Sequence, residues 1–225
     1  MLKKTLLIAA THGDEKIGLE VIQTLRQQGY GKFFDWLIAN PAALNKNQRF
    51  IDADLNRAYP GNKNASEREN RLAVRNMAIA RRYQYVIDIH EASEGYEDFI
   101  IIPRPKISTA FPLGRIDLEK ILLWPDPPGP LGSVLPQAIE LEFGMNNCHR
   151  RSKEKRALDI VKKFLEGKRN NKAQQKYSVY GKLLCSQAKS TKLRDWQPAE
   201  INGEKFIPLL VNQYSDLGIY CYKMR

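Results

Sequence analysis

Three residues with metal-binding side chains stand at the ends of short apolar runs. The run TLLIAA leads into THGDE, which offers His12 and Glu15 three positions apart. The run YVIDI leads into His90. Imidazole nitrogen and carboxylate oxygen are both good Zn²⁺ ligands, and a three-ligand set leaves one position open for water. His12, Glu15 and His90 together therefore have the makings of a hydrolytic zinc site. Asp88 lies two residues before His90 and shares its strand face, where it can orient the imidazole. His149 fits no such pattern and reads as a surface residue.

Two further groups add to the chemistry. In AIELEF, Glu140 and Glu142 alternate with apolar residues, so both carboxylates face one side of a strand. A carboxylate turned toward an apolar interior is costly unless paired or functional. One of the two is a candidate general base with a raised pKa, and spacing alone does not choose between them. The stretch QRFIDADLNRAYPG places Arg49 and Arg57 around Asp52, Asp54 and Asn56. Its guanidiniums suit capture of a carboxylate or support of an oxyanion, and they equally suit a loop stitched by its own Asp–Arg pairs.

The elements that must position these residues follow from periodicity. Thr5–Ala10 reads as a strand, Ile17–Gln28 as a helix stopped by Gly29, and Asp35–Ala39 as a second strand. Residues 40–64 show no period and read as a long loop, of the kind that is either functional or disordered. Ser66 and Glu69 have the spacing of a capping box, opening a helix that runs to about Arg82. Strands follow at Tyr85–Ile89, Phe99–Ile102, within Leu113–Trp124 and at Ala138–Phe143. Between the last two, Trp124–Pro136 carries five prolines and reads as irregular. Arg151–Glu166 has helical spacing of Ala157, Ile160, Val161 and Phe164. The expected fold is α/β: a mixed, mainly parallel sheet with helices on both faces. Chemistry then belongs at the carboxyl ends of the strands. Beyond a polar linker at 169–175, strands at Tyr177–Ser186, Phe206–Val211 and Gly218–Tyr222 form a small β-rich appendage, 176–225, after an α/β domain at 1–168.

Composition narrows the class. The chain has 225 residues and a formal net charge of +11. Between Arg150 and Lys176 stand eleven Lys/Arg against three Asp/Glu, with Phe164 the one aromatic among them. That pattern suits a solvated helix face and argues against a nucleic-acid partner. No apolar run approaches the ~20 residues of a membrane span. Three cysteines, Cys148, Cys185 and Cys221, without CxxC spacing suit a reducing compartment, and the expected location is cytoplasmic.

Taken together, HGDE, NPAA at Asn40–Ala43, RFIDADLNR at Arg49–Arg57, DIHE at Asp88–Glu91 and ELEFG at Glu140–Gly144 resemble the succinylglutamate desuccinylase/aspartoacylase family of zinc carboxypeptidase-like hydrolases. Order and approximate spacing match over residues 5–166. The resemblance implies one Zn²⁺ per chain held by His12, Glu15 and His90. It implies Glu142, rather than Glu140, as general acid/base, and Arg49 as the group that polarises the scissile carbonyl. It implies Asn56 and Arg57 as binders of a substrate carboxylate, and Tyr214 as the C-terminal tyrosine that reaches the substrate. The implied activity is hydrolysis of the amide of an N-acyl amino acid. A peptide-trimming zinc carboxypeptidase and a non-enzymatic zinc-containing binding protein are the alternatives. The aspartoacylase branch carries an arginine about one strand length before the catalytic glutamate, which helps select acidic substrates. Here that segment is PGPLGSVLPQAI, with no basic residue. The expected partner is a small molecule, without a membrane, and an oligomer is compatible with the sequence.

Overall fold

A computed structural model describes residues 4–91, 97–103, 110–124, 129–144, 150–188 and 192–225. The strands are β1 Thr5–Ala9, β2 Phe34–Ile38, β3 Tyr85–Glu91, β4 Phe99–Ile102, β5 Lys120–Leu123, β6 Ala138–Phe143, β7 Gln175–Leu184, β8 Ala199–Ile201, β9 Glu204–Leu209 and β10 Ile219–Met224. The helices are α1 Ile17–Gln27, α2 Pro41–Lys46, α3 Arg68–Ala80, α4 Leu131–Val134 and α5 Arg150–Leu165.

The strands join in one sheet, ordered β2-β1-β3-β6-β4-β5-β7-β10-β9-β8. From β2 to β6 all neighbours are parallel. β4 then runs antiparallel to β6, while β5 and β7 run parallel to β4. The last three pairings are antiparallel. The C-terminal strands thus continue the edge of the sheet through β7.

Alternation along the strands assigns two faces. Leu7, Ile87, Ile89, Ile139 and Leu141 point one way and are covered by Val21, Ile22 and Leu25 of α1 and Ile160, Val161 and Phe164 of α5. Leu6, Ile8, Val86 and Ala138 point the other way, under Ala73 and Ala80 of α3 and Leu131 of α4. Further along β3 and β6, this second face changes from Val86 and Ala138 to Asp88, His90, Glu140 and Glu142. Polar chemistry therefore begins where the helical cover ends.

The basic helix is largely answered from within the chain. Arg150 pairs with Glu20, Glu91 and Glu154, Arg156 with Asp98, and Lys163 with Asp117. Lys153 is buried, with its ammonium 3.0 Å from Glu91. The other oxygen of Glu91 accepts from the N–H groups of Lys16 and Ile17, so this carboxylate joins the end of β3 to the starts of α1 and α5. Among the described residues no helix is long and apolar enough to cross a membrane. Cys185 is a free exposed thiol and Cys221 a free buried one, while Cys148 and His149 lie outside the described residues.

Three sequence expectations need correction. Within Trp124–Pro136, expected to be irregular, Leu131–Val134 is helical. Residues 40–64 are not a structureless loop: Pro41–Lys46 is helical, with the Asn40 side chain accepting from the Ala43 N–H, and Leu55–Arg57 forms a single 3₁₀ turn capped by Asp54. The capping box at Ser66 and Glu69 does not form. α3 starts at Arg68, Glu67 is its N-cap without a side-chain bond, and Asp52 accepts from the Arg68 N–H at 2.8 Å. Glu69 is instead fully buried and bonded to the loop, accepting from the N–H groups of Ile51, Asp52 and Ala53 and from the Asn40 amide. A capping box satisfies one helix end locally; here the same carboxylate satisfies three loop donors at once.

Candidate active site

The site is assembled from the turn after β1. Ala10 is buried with φ at +55°, a left-handed conformation that costs a non-glycine residue energy and turns the chain sharply. At Gly13, a Cβ would lie 2.1 Å from the carbonyl carbon of Ala43, so only glycine lets this turn rest on α2. The Gly13 N–H donates to the Arg49 carbonyl, and the Glu15 N–H closes the turn on the His12 carbonyl. His90 comes from β3, the parallel neighbour of β1.

These elements bring His12, Glu15 and His90 together, all buried. One Glu15 oxygen lies 2.6 Å from Nδ1 of His12 and the other 3.0 Å from Nδ1 of His90. Each outward nitrogen faces a carboxylate. Nε2 of His12 lies 3.0 Å from Asp54 in a hydrogen bond, and Nε2 of His90 lies 3.3 Å from Asp88 without one. Asp88 is fixed in turn by the Thr11 hydroxyl, 2.9 Å from both its oxygens. Both imidazoles thus aim Nδ1 at one point and back it with a carboxylate at Nε2, the arrangement that orients metal-binding histidines.

Electrostatics favour positive charge at that point. Burial opposes charge on each histidine, but Glu15 and Asp54 outweigh it at His12, and Asp88 and Glu15 at His90, so both pKa values rise. Burial likewise opposes ionisation of Glu15 and Asp54. The neighbouring imidazoles, with Arg49 and Arg57 beside Asp54, hold both carboxyls well below the usual range. The three inner donor atoms lie within 4.8 Å of one another, a set that one cation can join. Two imidazoles and a carboxylate, each backed from behind, fit zinc.

Strand register supplies the floor beside this point. Glu142 pairs across from His90 on one side and Phe99 on the other. Glu140 pairs across from Asp88 and Ile101. Both carboxylates line a cavity of about 470 Å³. Burial, reinforced by the charges of Glu15 and Glu140, pushes Glu142 up to about 8, against the pull of His90 and His12. Glu140 is raised too, by burial and then Asp88.

The long loop forms the roof. Arg49 reaches over the ligands, 3.2 Å from Asp54 and 3.7 Å from Glu15. It thus makes the loop's own Asp–Arg pair while still lining the cavity. Asn56 is buried and Arg57 exposed, and both line the cavity. Gly129, with φ at +103°, sits where a Cβ would meet the Arg57 backbone at 2.1 Å, and its carbonyl accepts from the Tyr59 N–H. Gly129 thereby presses on the DLNR turn. Tyr214 also reaches the cavity, with Leu209 and Leu210 from the C-terminal strands.

All eight residues singled out as ligands, catalytic groups or substrate binders line this one cavity. Sequence reasoning named Asp54 only as a possible partner of the loop's arginines, and it passed over Thr11, Gly13 and Gly129 as supports. Asp54 carried a signal, since it lies in the same DLNR box as Asn56 and Arg57. Thr11 and Gly129 carried none, because their partners are remote in the chain.

The model of the succinylglutamate desuccinylase/aspartoacylase catalytic domain matches residues 1–112. A probable aspartoacylase of Prochlorococcus marinus (strain MIT 9215) is 27% identical over 116 residues, covering 45% of this chain and 38% of that protein. The match therefore spans well under half the length of that relative. Among solved structures, murine aminoacylase 3 superposes with a TM-score of 0.73 at 16% identity, over 100% of this chain and 95% of that one. The succinylglutamate desuccinylase of Chromobacterium violaceum gives a TM-score of 0.75 at 17% identity, over 99% of this chain and 83% of that one. At these identities the two structures establish a shared fold.

Proposed function

Because the chain belongs to the succinylglutamate desuccinylase/aspartoacylase family, we propose that it is a zinc-dependent deacylase that hydrolyses the amide bond of an N-acyl amino acid. The observation that carries this reading is the pairing of Glu142 with His90 across β6 and β3, which puts a half-buried carboxylate beside the three-donor cluster.

His12, Glu15 and His90 would hold the ion. When bound, Zn²⁺ supplies Lewis acidity and lowers the pKa of water. The protein's own groups then divide the work. Glu142 takes a proton from the attacking water and delivers it to the leaving nitrogen, a role suited to a carboxylate whose pKa burial has raised. Arg49, held by Asp54, presents a fixed positive charge where negative charge develops on the carbonyl oxygen. Asn56 and Arg57 anchor the substrate carboxylate, and Tyr214 lines the same cavity.

The test is metal analysis of the purified protein joined to a substrate panel. The reading expects stoichiometric zinc and turnover of N-acyl amino acids in preference to short peptides. Zinc-loaded protein that cleaves peptides and ignores N-acyl amino acids would make it a carboxypeptidase. Zinc-free protein inert on both would remove the enzyme reading.

A further inference from the structure

Glu91 ends β3 one residue beyond His90, and both oxygens of its carboxylate are engaged. Oε1 lies 3.0 Å from the Lys153 ammonium and 3.2 Å from the Arg150 guanidinium. Oε2 accepts from the N–H groups of Lys16 and Ile17, each at 3.2 Å. Those groups open α1, whose N-cap Lys16 makes no side-chain capping bond of its own. The first N–H groups of a helix have no partner within it, and a carboxylate beside them also meets the positive end of the helix dipole. Glu91 thus caps α1 from 74 positions away in the chain.

The residue before Lys16 is Glu15. The Glu91 N–H donates to Oε2 of Glu15 at 3.1 Å, the same oxygen that meets Nδ1 of His90. Glu91 therefore holds Glu15 twice. Its main chain holds the carboxylate, and its side chain holds the backbone that follows. α1 can start this close to the sheet because Gly18 lacks a Cβ, which would lie 2.8 Å from Cβ of Ala9 and 3.3 Å from Cβ of Ile89.

Lys153 is the unusual member of this group, a lysine on α5 that is 1% exposed. A buried ion pair is often no better for stability than two apolar side chains of similar volume. Stability alone therefore gives no reason for a lysine here. What an apolar pair cannot do is aim a carboxylate at two backbone donors next to Glu15.

We propose that Glu91 and Lys153 are positioning residues for Glu15: Lys153 fixes the Glu91 carboxylate against the start of α1, and this sets the Glu15 carboxylate between His12 and His90. The proposal rests on the reading of that cluster as a zinc site.

The experiment measures zinc affinity by chelator competition for the wild type, K153M, the double variant E91M/K153M, and K163M as a control. Lys163 lies on the same helix and pairs with Asp117. Circular dichroism checks folding, and the Tm of each zinc-free protein is read separately. Coulomb repulsion alone would make loss of the Lys153 charge tighten zinc binding; positioning gives the opposite sign. K153M and the double variant are expected to bind zinc roughly tenfold more weakly, the lower end of the loss when a support behind a metal ligand is removed, with K163M unchanged. The double variant leaves neither member of the pair buried alone, so it carries the test if K153M does not fold. Folded variants that bind zinc as tightly as the wild type or more tightly would overturn the proposal, even with a lower Tm, as would an equal loss in K163M; both leave the zinc site standing. A wild type that binds no zinc would overturn the zinc reading as well.

Discussion

Asp54 lies 3.0 Å from Nε2 of His12, joining the long loop to the turn after β1 through a single imidazole. The same carboxylate holds Arg49 and accepts from the Asn56 N–H. One side chain therefore sets a ligand's orientation, a guanidinium's position and the shape of the substrate-binding turn.

Asp54→Ala should weaken zinc binding by about ten- to a hundredfold, the usual cost of losing a carboxylate behind a metal-binding histidine. Asp54→Asn, which keeps a hydrogen-bond acceptor, should lose less. Competition against a chelator of known affinity reads both, and equal affinities for wild type and Asp54→Ala would remove Asp54 from the site.

Glu142→Gln keeps the shape of the floor and removes the base. Turnover should fall by about 10²–10⁴-fold with zinc still bound. For the wild type the sign with pH follows from the raised pKa. Glu142 acts as a base only when ionised, so kcat/KM should climb as pH rises through a value above the ordinary 4.5 of a glutamate. Full activity in Glu142→Gln would show that another group takes the proton.

Glu69 is a stability prediction. Burial works against its charge, but the N–H groups of Ile51, Asp52 and Ala53 and the Asn40 amide prevail and hold its pKa below 4.5. A carboxyl depressed in the folded state contributes stability that is complete above its unfolded pKa and is lost as pH falls through its folded one. Glu69→Gln should cost on the order of 1–3 kcal/mol at neutral pH. It should also flatten the fall in stability on acidification. Denaturant midpoints measured from neutral to about pH 3 would show this, and parallel curves for the two proteins would refute it.

Gly13→Ala places a methyl group against the backbone of Ala43 and Leu44, which cannot rotate away. The expected loss is on the order of 1–3 kcal/mol, or about 2–4 °C in Tm for each kcal/mol in a chain of this size. Weaker zinc binding should accompany it, because α2 must shift beneath His12 and Glu15. Calorimetry with and without zinc separates the two effects; an unchanged Tm and affinity would mean that the turn has room it does not show.

The sequence by itself determined the alternation of strands and helices, the two histidines at strand ends, and the shared face of Glu140 and Glu142. These follow from periods of two and 3.6 residues and from spacings of three or four positions, and such signals act within a few residues. Motif resemblance added the choice of Glu142. The tertiary structure decided whatever depended on remote partners. His90 and Glu15 meet across 75 positions, and Thr11 and Asp88 across 77. Glu69 left its expected capping role because folding brought it three loop donors that no local rule could anticipate. The place of Glu140 between Asp88 and Ile101 came from register alone, since strands so far apart in the chain become neighbours only when the sheet forms. Residue types and short spacings thus identify which groups are able to do chemistry. Burial and non-local pairing decide the charge each carries and what it faces, because both depend on atoms that local sequence does not specify.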